Sequence, residues 1–70
     1  MTNAENMSAL ILQAGERIMK VREARMTGLE NIVAAVRKGL MDMSECHAEL
    51  DRLEMEYTKG IEEVNKILGL

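Results

Sequence analysis

The sequence contains no proline, no phenylalanine and no tryptophan, and Tyr57 is its only aromatic residue. β-Strands are enriched in aromatic and β-branched residues, whereas Met, Leu, Ala and Glu, which are frequent in this chain, are good helix formers. The composition therefore favours a helical protein over a sheet. With so little aromatic surface, stacking of nucleic-acid bases is not an expected mode of action.

Cysteine and histidine are also scarce, since Cys46 and His47 each occur once. A single cysteine excludes a disulfide within the chain and is typical of a reducing compartment. Structural zinc usually takes four nitrogen or sulfur ligands, so we expect no metal site and no cofactor. No basic stretch precedes the first apolar residues, and no apolar run reaches the length of a membrane span. These features predict a cytoplasmic protein that is not bound to a membrane.

The chain has 70 residues, so we expect a single domain, residues 1–70. So small a core is only marginally stabilising, and small domains usually gain further stability from disulfides, metals or oligomerisation. Because disulfides and metals are not expected here, oligomerisation is the remaining source. Residues 1–39 contain six Lys/Arg and four Asp/Glu, a net of +2, whereas residues 40–70 contain three and eight, a net of −5. Two such halves attract each other when they fold side by side.

Two helices joined by a short link are predicted. Helix 1 should run over about residues 3–38, with Thr2 and Glu5 forming a capping box at its start. The link should cover residues 39–43, and helix 2 should run over about 44–68. A short link makes consecutive helices antiparallel neighbours.

Smaller signals mark the helix ends and the packing. Asp42 or Ser44 can cap helix 2, and the glycines that follow each helix, Gly39 and Gly69, are stop signals. Gly15 and Gly28 lie inside helix 1 and can each permit close approach by a neighbouring helix.

Apolar residues recur at steps of three and four, which places them in one stripe on each helix. The stripe of helix 1 comprises Met7, Ile11, Ala14, Ile18, Val21, Arg25, Leu29, Ile32 and Val36. The stripe of helix 2 comprises Met43, Cys46, Leu50, Leu53, Tyr57, Ile61, Val64 and Leu68. Packing of the two stripes gives an all-α, antiparallel two-helix hairpin with a long first helix.

Helix 1 carries a second apolar line at seven-residue spacing, which a lone hairpin would leave in water. An exposed apolar strip of that length normally marks an interface. A homodimer in which helix 1 crosses the second helix 1 would cover it and form a twofold-symmetric four-helix bundle. The candidate dimer or partner interface comprises Met7, Leu10, Ile11, Leu12, Met19, Arg25, Met26 and Val33, and the line ends at Leu40.

Three features have both a structural and a functional interpretation. Arg25 can pair with a carboxylate of helix 2 such as Glu54, or it can anchor a partner protein. Met19 and Met26 can pack in a dimer seam or offer an adaptable patch to another protein. An acidic row on helix 2 can be a solvated face or a strip that docks onto a basic surface, such as the DNA-binding face of a transcription factor. That row comprises Glu45, Glu49, Glu56 and Glu63.

No catalytic arrangement is recognisable in the sequence. Cys46 and His47 are adjacent, so on a helix they point about 100° apart and cannot act as a nucleophile and its base. Phosphate-binding glycine patterns and HExxH are absent, and so short a chain cannot enclose a pocket for a small-molecule substrate. Arg17, Lys20 and Arg22 scatter around helix 1, whereas a groove-reading helix needs its cations on one face. We expect neither an enzyme nor direct binding of nucleic acid.

In its length, its Met1-Thr2-Asn3 start and its long helix followed by a shorter one, the chain resembles the small phage-encoded quorum-sensing anti-activators. The resemblance covers the architecture of residues 2–68 and transfers no individual functional residue. It implies a two-helix dimer that binds the DNA-binding domain of a LuxR-type transcriptional activator and blocks its access to DNA. It also implies a link to inhibition of a type IV pilus assembly ATPase, and a location in the host cytoplasm for a phage-encoded protein.

Taken together, these features predict a non-enzymatic inhibitor or regulator that binds itself and a host regulatory protein or ATPase by stoichiometric occlusion. One alternative is a secretion-system co-chaperone or structural assembly hairpin, which would be unstable without its larger subunit. A second alternative is a nucleic-acid-binding hairpin dimer, which the net charge of −3 disfavours.

Overall fold

The computed structural model describes residues 3–70, which form two α-helices and no strand. α1 spans Asn3–Arg37 and α2 spans Met43–Ile67. The two helices pack side by side in opposite directions, so the predicted all-α hairpin is confirmed. Both bounds of α2 and the end of α1 lie one residue before the predicted positions. The capping role expected of Thr2 lies outside the described residues.

Both helices end in the same way, at a glycine with positive φ. Gly39 has φ +71° and donates its N–H to the carbonyl of Val36 at 3.0 Å, while the next N–H, that of Leu40, reaches Ala35 at 2.9 Å. This pair of hydrogen bonds is the Schellman motif, which needs a left-handed residue and therefore favours glycine. Gly69, with φ +77°, closes α2 through the equivalent pair. Both predicted stop signals are confirmed.

Asp42 starts α2, which decides between the two predicted caps. Its carboxylate accepts a hydrogen bond from the backbone N–H of Glu45 at 2.8 Å, and the Glu45 side chain accepts one from the Asp42 N–H at 3.4 Å. This reciprocal pair is a capping box, in which two backbone donors of the first turn find partners. Ser44 lies inside the helix instead.

The core between the helices is small. Its apolar members with less than a tenth of their surface exposed are Ala14, Ile32, Leu53 and Val64. The middle of each predicted stripe lies in this seam, but its ends do not. The exposed stripe members are Met7, Ile11 and Val36 of α1 and Met43, Leu50 and Leu68 of α2. Met7 and Ile11, which were also expected at the candidate interface, are exposed because α1 extends past the end of α2. For the other four, the prediction of burial was wrong, since they are exposed where both helices lie side by side.

Two glycines allow the helices to approach closely. A Cβ built on Gly28 would lie 2.9 Å from Cδ1 of Leu53, and one on Gly60 would lie 2.6 Å from Cγ2 of Val21. Each glycine therefore receives a branched side chain of the other helix. The prediction for Gly28 is confirmed, whereas a Cβ on Gly15 would meet nothing within 4 Å inside the chain.

The hairpin is a flat layer. Its principal extents are 56 × 17 × 7 Å, so it is one helix thick and two helices wide. With a rise of about 1.5 Å per residue, α1 is roughly 15 Å longer than α2. Between Asn3 and Leu70, neither helix combines the length and the apolar character needed to cross a membrane.

Candidate protein interaction surface

The second apolar line of α1 lies on the surface of the layer. We call it the α1 strip, and it comprises Leu12, Met19, Met26, Val33 and Leu40. Leu12, Met19 and Met26 are 65%, 63% and 57% exposed, and α2 covers none of the five. The four members within α1 lie on one side of the helix, because seven residues make nearly two full helical turns, and that side is about a third of a turn from the seam with α2. Leu40 follows Gly39, just after the end of α1.

Further apolar residues join the α1 strip to the seam. Leu29 and Val36 follow Met26 and Val33 by three residues, which places them about 60° around the helix toward α2. Leu29 is half-buried and Val36 is exposed. The strip is therefore the outer edge of a wider apolar face, in which Arg22 is the charged exception. This wider face was not predicted from the sequence, although the three-residue spacing between Met26 and Leu29 and between Val33 and Val36 indicates it.

A second exposed apolar group lies where α1 extends past the end of α2. Arg17 pairs with Glu63 and Gly60 receives Val21, so the last turn of α2 ends about level with Ala14. The first turns of α1 therefore have no companion helix. We call this group the projecting end, and it comprises Met7, Leu10, Ile11 and the C-terminal Leu70.

Arg25 lies between the helices rather than at a free surface. Its Nη2 donates to Oε2 of Glu54 at 3.1 Å, and its guanidinium lies 4.5 Å from the ring centroid of Tyr57. The pair with Glu54 was one of the two interpretations of this residue, and it is present. Because the Arg25 side chain is still 41% exposed, the pair and the ring contact stabilise the hairpin only modestly.

The acidic row of α2 lies on one side of the helix, as its spacing predicts, but its carboxylates have partners within the chain. Glu49 and Glu56 both bind the guanidinium of Arg52, at 2.7 Å and 2.6 Å. The hydrogen bond from Arg52 to Glu49, followed by that to Glu56, raises the pKa of Arg52 above its ordinary value. Glu63 pairs with Arg17 of α1, and Glu45 belongs to the capping box. The row is therefore much less free to attract a basic partner than its sequence indicates.

The remaining candidates for chemistry lie apart from one another. Cys46 is half-buried in the seam, and His47 is exposed beside Asp51, with 3.4 Å between Nδ1 and Oδ2. Within residues 3–70, no three His, Cys, Asp or Glu side chains come together as a metal site.

A valley runs between the helices on the side of the seam opposite the α1 strip. Arg17, Lys20 and Lys59 border its middle part, a groove of about 340 Å³ with Val21 and Gly60 in its lining. Toward the projecting end the valley continues between Arg17, Lys20 and Lys66. Sequence reasoning missed this grouping, because the basic residues of α2 join those of α1 only through the register of the hairpin.

Comparison with known proteins adds no relative to this description. The chain matches no protein-family model, no curated protein and no solved structure.

Proposed function

We propose that this protein is a non-enzymatic, dimeric regulator that binds a target protein stoichiometrically and occludes its functional surface. The observation that carries the proposal is the apolar surface that the hairpin leaves exposed in two separate places, the α1 strip and the projecting end. Contiguous apolar surface of this extent is characteristic of protein interfaces. We assign the strip to a second copy of the chain and the projecting end to the target.

The accessible surface supports the assignment of the α1 strip. The chain exposes 5676 Å², whereas a compact monomer of 7.9 kDa exposes about 4,400 Å². The excess is larger than the roughly 800 Å² that each partner buries in a standard interface. Two strips packed together would cover residues such as Met19 and Met26 and would give the second layer that the hairpin lacks.

The projecting end suits a target because Met7 and Ile11 lie on the seam side of α1, about a third of a turn from the strip. Met7 and Ile11 continue the direction of the seam, beyond the last turn of α2, and Ile11 is 61% exposed. Apolar anchors that enter a pocket of the partner dominate the affinity of many interfaces. A dimer presents two such ends, so one dimer would hold two targets.

The resemblance to phage anti-activators supplies candidates for the target. We propose the DNA-binding domain of a LuxR-type activator, with a type IV pilus assembly ATPase as the second candidate. Occlusion of either would need no chemistry from this chain. The lone Cys46 fits the cytoplasmic location that both targets require.

Titration calorimetry of the purified protein with each purified candidate tests the proposal. We expect saturable binding of one chain per target, with displacement of DNA from the activator. The substitution Ile11→Asp should weaken binding at least tenfold, because it places a charge on the apolar anchor. Met55→Asp is the matched control, because Met55 is 72% exposed on α2 and belongs to neither surface.

Two results would contradict the proposal. One is the absence of binding to both candidates, and the other is equal weakening by Ile11→Asp and Met55→Asp. Sedimentation of the protein alone addresses the co-chaperone alternative, which predicts aggregation where we expect a discrete dimer.

A further inference from the structure

Positive charge is concentrated along the valley although the chain as a whole carries a net charge of −3. Arg17 and Lys20 of α1 border both parts of the valley, facing Lys59 and Lys66 of α2. Lys59 and Lys66 are seven residues apart and therefore lie on one side of α2. The hairpin thus brings together basic residues from its basic and its acidic half.

Most of this charge is not neutralised within the protein. Two of the three carboxylates that share the valley are engaged, since Glu63 pairs with Arg17 and Glu56 pairs with Arg52. The third is Glu16, which borders the part of the valley toward the projecting end. In the described part of the chain, no hydrogen bond or ion pair engages Lys20, Lys59 or Lys66. Three ammonium groups therefore border the valley with their charge available to a partner.

The lining of the valley gives it room for a chain segment. The side chain of Val21 packs onto Gly60, and Ala24 ends at its Cβ, which leaves a groove of about 340 Å³ between the two helices. Leu10 precedes Arg17 and Ala24 by seven-residue steps, which places all three on one side of α1. The valley is therefore continuous with the projecting end and offers apolar and then basic contacts along one line.

We infer that the valley binds an acidic segment of the target protein, with its carboxylates at Lys20, Lys59 and Lys66 and an apolar residue at the projecting end. This inference rests on the proposed function, because the projecting end is the surface assigned to the target. It reverses the charge expected of the partner from the acidic row, whose carboxylates have partners within the chain. Charge complementarity of this kind determines which partner is accepted and how fast it associates.

A synthetic probe tests the inference without knowledge of the target. Fluorescence anisotropy would measure binding of a labelled peptide of alternating Glu and Leu and, in a separate titration, of the same peptide with Lys in place of Glu. We expect the acidic peptide to bind, with an affinity that falls as salt is added, and the basic peptide not to bind. The triple variant Lys20→Gln, Lys59→Gln, Lys66→Gln should weaken binding at least tenfold.

The control is the single variant Lys38→Gln, which removes one positive charge away from the valley and should leave binding unchanged, whereas Lys59→Gln should weaken it about threefold. Equal loss in these two single variants, or no binding of the acidic peptide at low salt, would overturn the inference. So would tighter binding of a single-stranded oligonucleotide through the same lysines. If target binding is lost with Ile11→Asp but kept in the valley triple, the proposed function stands and this inference falls.

Discussion

Glycine determines how closely the two helices approach. Val21 enters the space above Gly60, and Leu53 enters the space above Gly28, so each helix supplies one glycine and one branched side chain. A glycine inside a helix costs about 1 kcal/mol relative to alanine. That cost is offset here because the branched side chains gain close packing against the opposite backbone.

Gly60→Ala should therefore destabilise the protein. The new Cβ would lie 2.6 Å from Cγ2 of Val21, and a β-branched side chain in a helix has essentially one rotamer to adopt. Overpacking costs about 1–3 kcal/mol and helix propensity gains about 1 kcal/mol, so we expect the free energy of unfolding in urea to fall by up to about 2 kcal/mol. Gly15→Ala is the control and should be neutral or stabilising, because its Cβ meets nothing within 4 Å. Equal effects of the two substitutions would refute this account.

Ion pairs between the two helices could be predicted from the sequence only where the position of a residue on the helical repeat indicates a partner. The pair of Arg25 with Glu54 could be anticipated because Arg25 lies on the apolar stripe and needs a partner there. The pair of Arg17 with Glu63 could not, because it depends on which turn of α2 lies beside which turn of α1. Within the acidic row, only the pair of Glu63 depends on this register, because Glu49 and Glu56 pair with Arg52 of their own helix.

At the level of the helices, specific residues determine where each helix starts and stops. α2 begins at a capping box formed by Asp42 and Glu45, and it ends at Gly69 in a Schellman motif. Both devices satisfy backbone groups that have no partner inside the helix. α2 is the shorter helix and provides half of the seam, so its start matters for the whole hairpin.

Asp42→Ala should cost about 1 kcal/mol, the usual effect of removing an N-cap side chain. The backbone N–H of Glu45 would lose its acceptor, and the first turn of α2 would fray. Ser44→Ala is the matched control and should have little effect, because Ser44 lies inside the helix and does not cap it. Thermal unfolding followed by circular dichroism measures both, and an effect of Ser44→Ala as large as that of Asp42→Ala would contradict the assignment.

The existence, direction and approximate bounds of the helices were predictable, since they depend on local signals and on a repeat that persists over many turns. The extent of burial was predictable only in part. The unequal helix lengths leave the first turns of α1 without a companion helix, and Met7 and Ile11 are exposed there. Periodicity did not predict the exposure of Leu50, which lies on the stripe of α2 between half-buried Cys46 and buried Leu53.

At the level of the whole molecule, the hairpin has little interior. A layer 7 Å thick in its smallest extent places both broad sides in solvent, and among residues 3–70 only four apolar residues have less than a tenth of their surface exposed. Small domains gain little stability from so small a core. Stability of the free chain should therefore depend on the second copy that we propose.

The thermal midpoint should rise with protein concentration, because dissociation accompanies unfolding of a dimer. With typical unfolding entropies for two chains of this size, a tenfold increase should raise the midpoint by about 5 °C. Scanning calorimetry over a hundredfold range measures the shift. Met26→Lys places a charge in the strip and should lower the midpoint and its dependence on concentration. A midpoint independent of concentration in the unaltered protein would exclude the dimer.

The thinness of the hairpin bears on how many molecules it can touch at once. In a globular domain, most surfaces are separated by an interior that keeps them structurally independent. Here the same backbone turns form the front and the back, and residues as near in sequence as Met19 and Lys20 point toward opposite broad sides. A molecule bound on one broad side therefore lies within a single helix diameter of a molecule bound on the other. Both would contact the same few turns of α1.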